Sequence, residues 1–376
     1  MPSGSTRRRR IRERFDASVS REWNRYAGTA WHVLVRELRE RFVSRHLSKG
    51  GGWVLELGPG PGRFTPTILR SGARVVAADL SVPMLRSLGS RLSSRSGGAR
   101  LRRVRAAGEH LPFEEGTFRA TIALGNLLGF SAADGPRLLG EVARVTCPGG
   151  LLVLDVASPV GAATDFLQTA TEQRLLLRVL RNPEYYFLNE VVRDADRTRQ
   201  PYAPKRWGFF EFDFYTTRGV DKVLAQAGFR PVDRMAIAPV GAYRDRLTTT
   251  ARRDRTAWKS LLVLEERAGR RSGTLETGHG FVVAAVRSRA RSRRRPRARP
   301  ALKLVPVIPT EFVSGQPISF HEAVPDRVPG SPSRSRPPSR TACRAVRALP
   351  GASPGRSWNV GAIPCSNISC TTTERL

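Results

Sequence analysis

The chain has 376 residues, 40% of them hydrophobic, with 64 basic against 32 acidic residues and a formal charge of +32. That length admits one large domain or two small ones. No stretch is long and apolar enough for a membrane span, and the Arg7–Arg10 run lacks the apolar region of a signal peptide, so a cytoplasmic protein is expected. Four cysteines (147, 343, 365 and 370) make no C-x-x-C pair and no zinc spacing, which argues against a disulfide framework and a zinc site. Only five of the basic residues are Lys and 59 are Arg. Compositional bias explains that ratio as readily as a polyanionic partner does.

Residues 1–12 read as a basic, disordered leader. From Phe15 the chain looks helical, with Trp23, Tyr26, Trp31, Val35 and Leu38 recurring at three- to five-residue steps, as on an amphipathic face. His32 and His46 fall on this segment and are expected to face solvent. The run VLELGPGPGRFT (54–65) then joins an apolar strand carrying Glu56 to a loop with Gly58, Gly60 and Gly62. Thr65 is a candidate cap for the following helix, and Pro66 suits its first turn. Strand, glycine turn and helix form the entry to a nucleotide-type site in a doubly wound fold, where glycines let the backbone approach a ligand. A dinucleotide fingerprint would need G-x-G-x-x-G, but Arg63 stands at its third position and the pattern is E-x-G-x-G-x-G.

RVVAADLS (74–81) reads as a second strand ending in Asp79, which lies 21 positions after Gly58. An acid at about that distance is placed to accept hydrogen bonds from ribose hydroxyls. Its other reading is a helix-capping acid, for which Ser81 is better suited. Met84 is a candidate adenine contact or a core residue. The segment 106–130 carries Leu111, Pro112, Phe113 and Phe118, then a fourth strand, ATIAL, ending at Gly125-Asn126. Ligands in open α/β sheets sit at the carboxyl ends of strands. Asn126 is thus placed to orient a substrate amine or hydroxyl, or else to cap a turn. EVARVTCPGGLLVLDVASP (141–159) is a helix, a Pro-Gly-Gly turn and a fifth strand. Cys147 there reads as a small apolar residue.

The combined pattern resembles the class I S-adenosylmethionine-dependent methyltransferases, over about 15–286 and most specifically over 54–157. The E-x-G-x-G-x-G loop resembles the family's first motif. AAGEHLPF…F resembles its G-D-A-E-x-L-P-F…F-D stretch, and EVARVTCPGG its E-x-x-R-V-x-x-P-G-G. The resemblance implies a doubly wound, mostly parallel seven-stranded α/β sheet with S-adenosylmethionine as cofactor. It carries over Glu56, Gly58, Gly60 and Gly62 in the loop, Asp79 on the ribose, Leu80 against the adenine, Gly108 and Glu109 nearby, and Asn126 beside the transferable methyl. Asn126 is also the one catalytic candidate, and Glu109 has an alternative as an exposed loop acid. Two family acids are replaced, by Ala107 and Arg119. His110 reads as structural or cofactor-proximal, and no residue declares itself as a base. FDASVSREWNRY resembles the family's cofactor-covering N-terminal helix, with Tyr26 as a lid or core residue. The motif of base-amino methyltransferases is absent.

An insertion over about 160–215 is expected to hold a helix (163–181). An aromatic stretch follows, with Tyr185, Tyr186, Phe187, Trp207, Phe209, Phe210, Phe212, Phe214 and Tyr215. These residues read as a substrate cover or a hydrophobic mini-core. TTRGVDKVLAQAGFRPVDR reads as a late helix capped by Thr216 or Thr217 and ended by Gly228, followed by a sixth strand. A helix is expected around Trp258–Glu266. HGFVVAAV (279–286) has the run of a seventh strand, which the family inserts antiparallel between the fifth and sixth. Residues 287–376, with 17 basic and 4 acidic residues, are too Arg-, Pro- and Ser-rich to fold and read as a disordered tail able to bind nucleic acid nonspecifically. The function expected is methyl transfer to a small-molecule acceptor on oxygen, nitrogen or carbon. Methylation of RNA or DNA through the basic surface is a second reading, and non-catalytic binding of the cofactor a third.

Overall fold

A computed structural model describes residues 4–25, 28–92, 98–131, 134–169, 181, 197–199, 213–241 and 244–289. The apolar run of the glycine motif forms strand β1 (Trp53–Leu57), buried from Val54 onward. Beside it lie β2 (Arg74–Asp79), β3 (Leu101–Arg105), β4 (Phe118–Ala123) and β5 (Thr146–Val156). Two further strands, β8 (Phe229–Ala236) and β9 (Phe281–Arg287), complete a seven-stranded sheet of order β3-β2-β1-β4-β5-β9-β8. The pairs β1–β2, β2–β3, β1–β4 and β4–β5 are parallel. β9 is antiparallel to both neighbours, as the resemblance implied. β6 (Arg197–Arg199) and β7 (Asp213–Tyr215) form a separate antiparallel pair.

Alternation along the strands divides the core between two faces. Val54, Val75, Ile122 and Val153 point to one side with α3 (Ala30–His46), α4 (Thr65–Arg70), α5 (Val82–Leu92) and α11 (Arg255–Gly269). Leu55, Val76, Leu152 and Leu154 point to the other, against α7 (Gly135–Val145) and α9 (Thr217–Gln226). The remaining helices are α1 (Gly4–Asp16), α2 (Val19–Asn24), α6 (Leu127–Ser131), α8 (Pro159–Thr169) and α10 (Asp245–Arg253). Strand order reverses between β1 and β4, which opens a crevice at their carboxyl ends.

Several expectations change. Within the leader expected to be disordered, residues from Gly4 on belong to α1. That helix has somewhere to dock: Phe15 meets Phe130 of α6 edge to face at 5.8 Å, and Arg7 Nη2 donates to the Phe130 carbonyl at 2.9 Å. Thr65 is not a cap but the first residue of α4, fully buried, and Phe64 holds the N-cap position. The fifth strand begins at Thr146, before the Pro-Gly-Gly turn. Pairing jumps from Phe118↔Thr146 to Ala120↔Leu151, so Cys147–Gly150 is a bulge with Gly149 at φ +78. Strand β9 includes Arg287, assigned above to the tail. Its guanidinium donates to the carbonyls of Arg144 and Thr146, which fixes it to the sheet.

Capping follows the sequence. The Ser81 hydroxyl accepts from Met84 N at 3.3 Å and that of Thr216 from Gly219 N at 3.0 Å, while Gly228 takes φ +79 after α9. Of the insertion, α8 covers Pro159–Thr169, the rest of the expected helix apart from residue 181 lies outside the described residues, and Phe214 and Tyr215 of β7 are buried. Tyr26, Tyr185, Tyr186, Phe187, Trp207, Phe209, Phe210, Phe212 and the tail beyond Arg289 lie outside the described residues.

Candidate functional site

The loop after β1 turns on three left-handed glycines: Gly58 (φ +66), Gly60 (φ +55) and Gly62 (φ +87). L-residues with a Cβ pay to adopt this conformation. The loop is tied down by Gly58 N donating to Ala78 O at 2.8 Å and Gly60 N donating to Asp79 Oδ2 at 3.0 Å. The other Asp79 oxygen accepts from Ser81 N at 2.9 Å. Motif loop and strand-end acid are therefore one hydrogen-bonded unit. Burial raises the Asp79 carboxyl to about 6, the backbone donors at Ser81, Gly60 and Leu80 partly offset this, and Asp16 adds to it.

A cleft opens over this unit. Gly58, Gly60, Asp79, Leu80, Gly108 and Glu109 all line it, and so do Met84, Leu127 and Leu138. Six of the nine expected binding residues are thus brought to one surface. Gly60 has nothing within 4 Å of where a Cβ would stand, so its backbone lies bare. A bare loop, a half-buried acid and apolar walls fit a nucleoside-bearing cofactor such as S-adenosylmethionine. Gly108 packs so closely that a Cβ would come 2.2 Å from Leu138 Cδ1.

Glu56, Gly62 and Asn126 are not among the residues lining this cleft. Gly62 serves packing, since a Cβ there would lie 2.9 Å from Leu88 Cγ. Glu56 is buried beneath the loop, and burial pushes its carboxyl up to about 7. The Thr65 hydroxyl lowers it somewhat, approaching without meeting hydrogen-bond geometry, and Asp79 raises it. Asn126 adopts φ +59, and its Oδ1 accepts from Ala157 N at 3.1 Å. The catalytic candidate thus ties the end of β4 to the end of β5.

Sequence reasoning missed what holds that junction. Asp155, which ends the apolar run of β5, accepts from Gly125 N (2.7 Å) and Asn126 N (2.9 Å) with Oδ1, and from Arg39 Nε (2.6 Å) with Oδ2. Arg39 and Asp155 are 4% and 1% exposed, so this is a buried pair in which both carboxylate oxygens are bonded. One signal was present: Val35, Leu38, Arg39 and Phe42 fall at i, i+3, i+4 and i+7, which puts an arginine in an apolar stripe.

The two departures from the family pattern have local explanations. Ala107 O accepts from His110 N at 3.0 Å, closing the loop after β3 and leaving His110 exposed. Arg119 reaches Ser48 O (3.2 Å) and Gly50 O (3.1 Å), pinning the turn before β1. The E-x-x-R pair secures the L-P-F loop: Glu141 accepts from Leu111 N at 2.8 Å, and Arg144 donates to the carbonyls of Leu111 and Phe113. The histidines expected in solvent are not there. His32 stacks on Trp31 at 3.9 Å and His46 pairs with Asp233 at 2.9 Å. His279 packs against Trp31, and burial lowers its imidazole well below the usual range.

The cleft is roofed by the amino-terminal helices, through Arg8, Ile11, Arg12 and Phe15 of α1 and Glu22 and Arg25 of α2 and its cap. Trp23 of α2 lies between the guanidiniums of Arg63 (4.0 Å) and Arg91 (3.8 Å), which joins the roof to the loop. Among the described residues no helix is long and apolar enough to cross a membrane.

The chain is similar in sequence to known methyltransferases. Residues 54–150 match the family described as a methyltransferase domain. The chain is 39% identical over 193 residues to a demethylmenaquinone methyltransferase of Mycobacterium marinum, covering 48% of this chain and 77% of that relative. It is 39% identical over 153 residues to one of Corynebacterium urealyticum, covering 38% of this chain and 60% of that relative. Among solved structures, 1,6-didemethyltoxoflavin-N1-methyltransferase of Burkholderia thailandensis aligns with a TM-score of 0.48 and 17% identity, over 77% of this chain and 92% of that one. With its glycine loop, its strand-end acid and the extent of the first of these similarities, the chain belongs to the class I S-adenosylmethionine-dependent methyltransferases.

Proposed function

We propose that this enzyme methylates a small, largely apolar acceptor of quinone type, and that it binds its cofactor through Gly58, Gly60, Asp79, Leu80, Gly108 and Glu109. The observation that carries the reading is the cleft over the Gly60–Asp79 unit, walled by apolar side chains, in a chain 39% identical to a demethylmenaquinone methyltransferase across 77% of it. When bound, S-adenosylmethionine supplies an activated methyl group on a sulfonium.

The chain's own residues then have three tasks. The carboxylate of Asp79 accepts the ribose hydroxyls, and the bare backbone at Gly60 allows close approach. Leu80, Met84 and Leu138 offer apolar surface to the base. Phe15 and Phe130, joined edge to face, cover the cleft and exclude water, while the Asp155-bound loop at Gly125–Asn126 keeps the wall between β4 and β5 rigid. Holding two reactants in line in a water-poor site supplies about 7–11 kcal/mol of barrier reduction when alignment is good.

The test has two stages. Calorimetric titration with S-adenosylhomocysteine should give micromolar binding that Asp79→Ala abolishes. Labelled methyl from S-adenosylmethionine should then appear in demethylmenaquinone dispersed in detergent. Cofactor binding without transfer to any quinone or phenol would sink the acceptor class and leave the cofactor site standing.

A further inference from the structure

In the sequence Arg7–Arg10 is a single basic run, and helix α1 divides it. Arg8, Ile11, Arg12 and Phe15 fall at i, i+3, i+4 and i+7, on one face, and all four line the cleft. Arg9 and Arg10 are exposed. Arg7 is bound to the Phe130 carbonyl, and Phe15 rests on the Phe130 ring. The helix is thus held at both ends of this face, and its Arg8–Arg12 edge is directed inward.

The acids of the cleft are Glu22 on the roof and Asp79 and Glu109 on the floor. Arg8 makes no ion pair or hydrogen bond among the described residues. Arg12 meets Asp16 only at 3.9 Å, and Arg25, at the end of α2, lies 3.4 Å from Glu22. Like charges four apart on a helix face repel, and partial burial strips away the water and salt that would screen them. A sulfonium cofactor brings further positive charge to the same cleft. The same cleft is lined by the apolar side chains of Ile11, Phe15, Leu127 and Phe130. Guanidiniums beside aromatic rings suit a flat ligand bearing a negatively charged oxygen, because a charge-assisted bond to Arg gains strength where water is scarce.

We propose that the Arg8–Arg12 face of α1 is an anion subsite that holds an acidic oxygen, a carboxylate or an ionised hydroxyl, of an aromatic acceptor. The proposal rests on the methyltransferase reading and narrows its substrate class. The carboxylate of the cofactor's amino-acid end has the same chemistry, and the experiment separates the two.

The full-length protein is saturated with S-adenosylhomocysteine, whose own affinity is measured first and tests the methyltransferase reading independently. It is then titrated with 2-hydroxy-1,4-naphthoquinone, ionised at neutral pH, and with its neutral analogue 2-methoxy-1,4-naphthoquinone. The expected result is about tenfold tighter binding of the anion, lost in Arg8→Gln/Arg12→Gln with S-adenosylhomocysteine affinity kept within about twofold. Arg9→Gln/Arg10→Gln, on the exposed face, should retain the preference and controls for net charge. Equal binding of the two naphthoquinones, or no binding of either, overturns the proposal. So does a double variant that weakens S-adenosylhomocysteine about tenfold while keeping the preference, since the anion is then the cofactor's carboxylate.

Discussion

Arg39 and Asp155, 116 positions apart, meet in a buried ion pair of 2.6 Å whose carboxylate also receives the amides of Gly125 and Asn126. One side chain therefore joins α3, the end of β5 and the wall of the cleft. Taking two charges out of water is costly, and the geometry offsets it only while every lone pair is filled. Removing one partner leaves a bare charge in the core. Arg39→Met is expected to lower stability by about 3–5 kcal/mol in urea unfolding, and Arg39→Met/Asp155→Leu to recover part of that loss. A loss below about 1 kcal/mol would place the pair in water rather than in the core.

Asn126 stands at φ +59 and uses its side chain on Ala157 N. Asn tolerates the left-handed region better than most residues. Asn126→Ala adds backbone strain and orphans an amide, and should cost about 2 kcal/mol. Asn126→Gly relieves the strain alone and should cost about half as much. If both variants were as stable as wild type but inactive, the side chain would be acting on the acceptor instead.

In the proposed reading Asp79 accepts the ribose hydroxyls as a carboxylate, yet burial holds its carboxyl near 6. Binding of S-adenosylhomocysteine should then be flat above pH 7 and weaken by up to about tenfold per pH unit below 6. Calorimetry at pH 5, 6, 7 and 8 decides this. An affinity unchanged down to pH 5 would mean that the acid is not raised in the free protein.

Glu56 contributes in the opposite sense to an ordinary surface acid. Its carboxyl rises from 4.5 to about 7 on folding, so between those values the native state holds a proton that the unfolded chain has released. The protein gains stability from this group as pH falls from 8 to 5 and loses it as pH rises through 7. Glu56→Gln should therefore be more stable than wild type at pH 8, by at most about 3 kcal/mol, with the difference closing toward pH 5. His279, held low by burial, works against this trend but is common to both proteins and cancels in the comparison. Thermal unfolding across pH measures it, and a difference independent of pH would refute the raised carboxyl.

The glycines of the loop should separate by role. Gly60→Ala has room for its methyl group, so stability should fall by only about 1 kcal/mol while cofactor affinity drops. Gly62→Ala places a Cβ 2.9 Å from Leu88 Cγ as well as at φ +87, and should lose about 2–3 kcal/mol. Melting temperature and S-adenosylhomocysteine titration of the two variants give the comparison. Equal effects on both readouts would contradict the division.

Residues 54–157 could be read directly from the sequence because their signals are local. Alternating apolar residues mark a strand, left-handed turns demand glycine, a hydroxyl at Ser81 meets an amide three residues on, and Asp79 follows the loop at a spacing set by one helix and one strand. Glu141 and Arg144 stand in the E-x-x-R register, but only the structure shows that they hold the L-P-F loop. Tertiary structure alone decided the rest. A basic amino-terminal run has no apolar periodicity strong enough to announce a helix, and α1 forms against Phe130, more than a hundred residues away. Arg39 and Asp155 look like one surface charge and one strand-end acid until the fold brings them together. Gly62 and Asn126 fit a ligand-binding pattern in one dimension, and only the fold shows that Gly62 packs against Leu88 and that Asn126 accepts from Ala157 N. Spacing along the chain encodes what neighbours do to one another, whereas the burial of a charge or the occupation of a side chain depends on which distant surface arrives beside it.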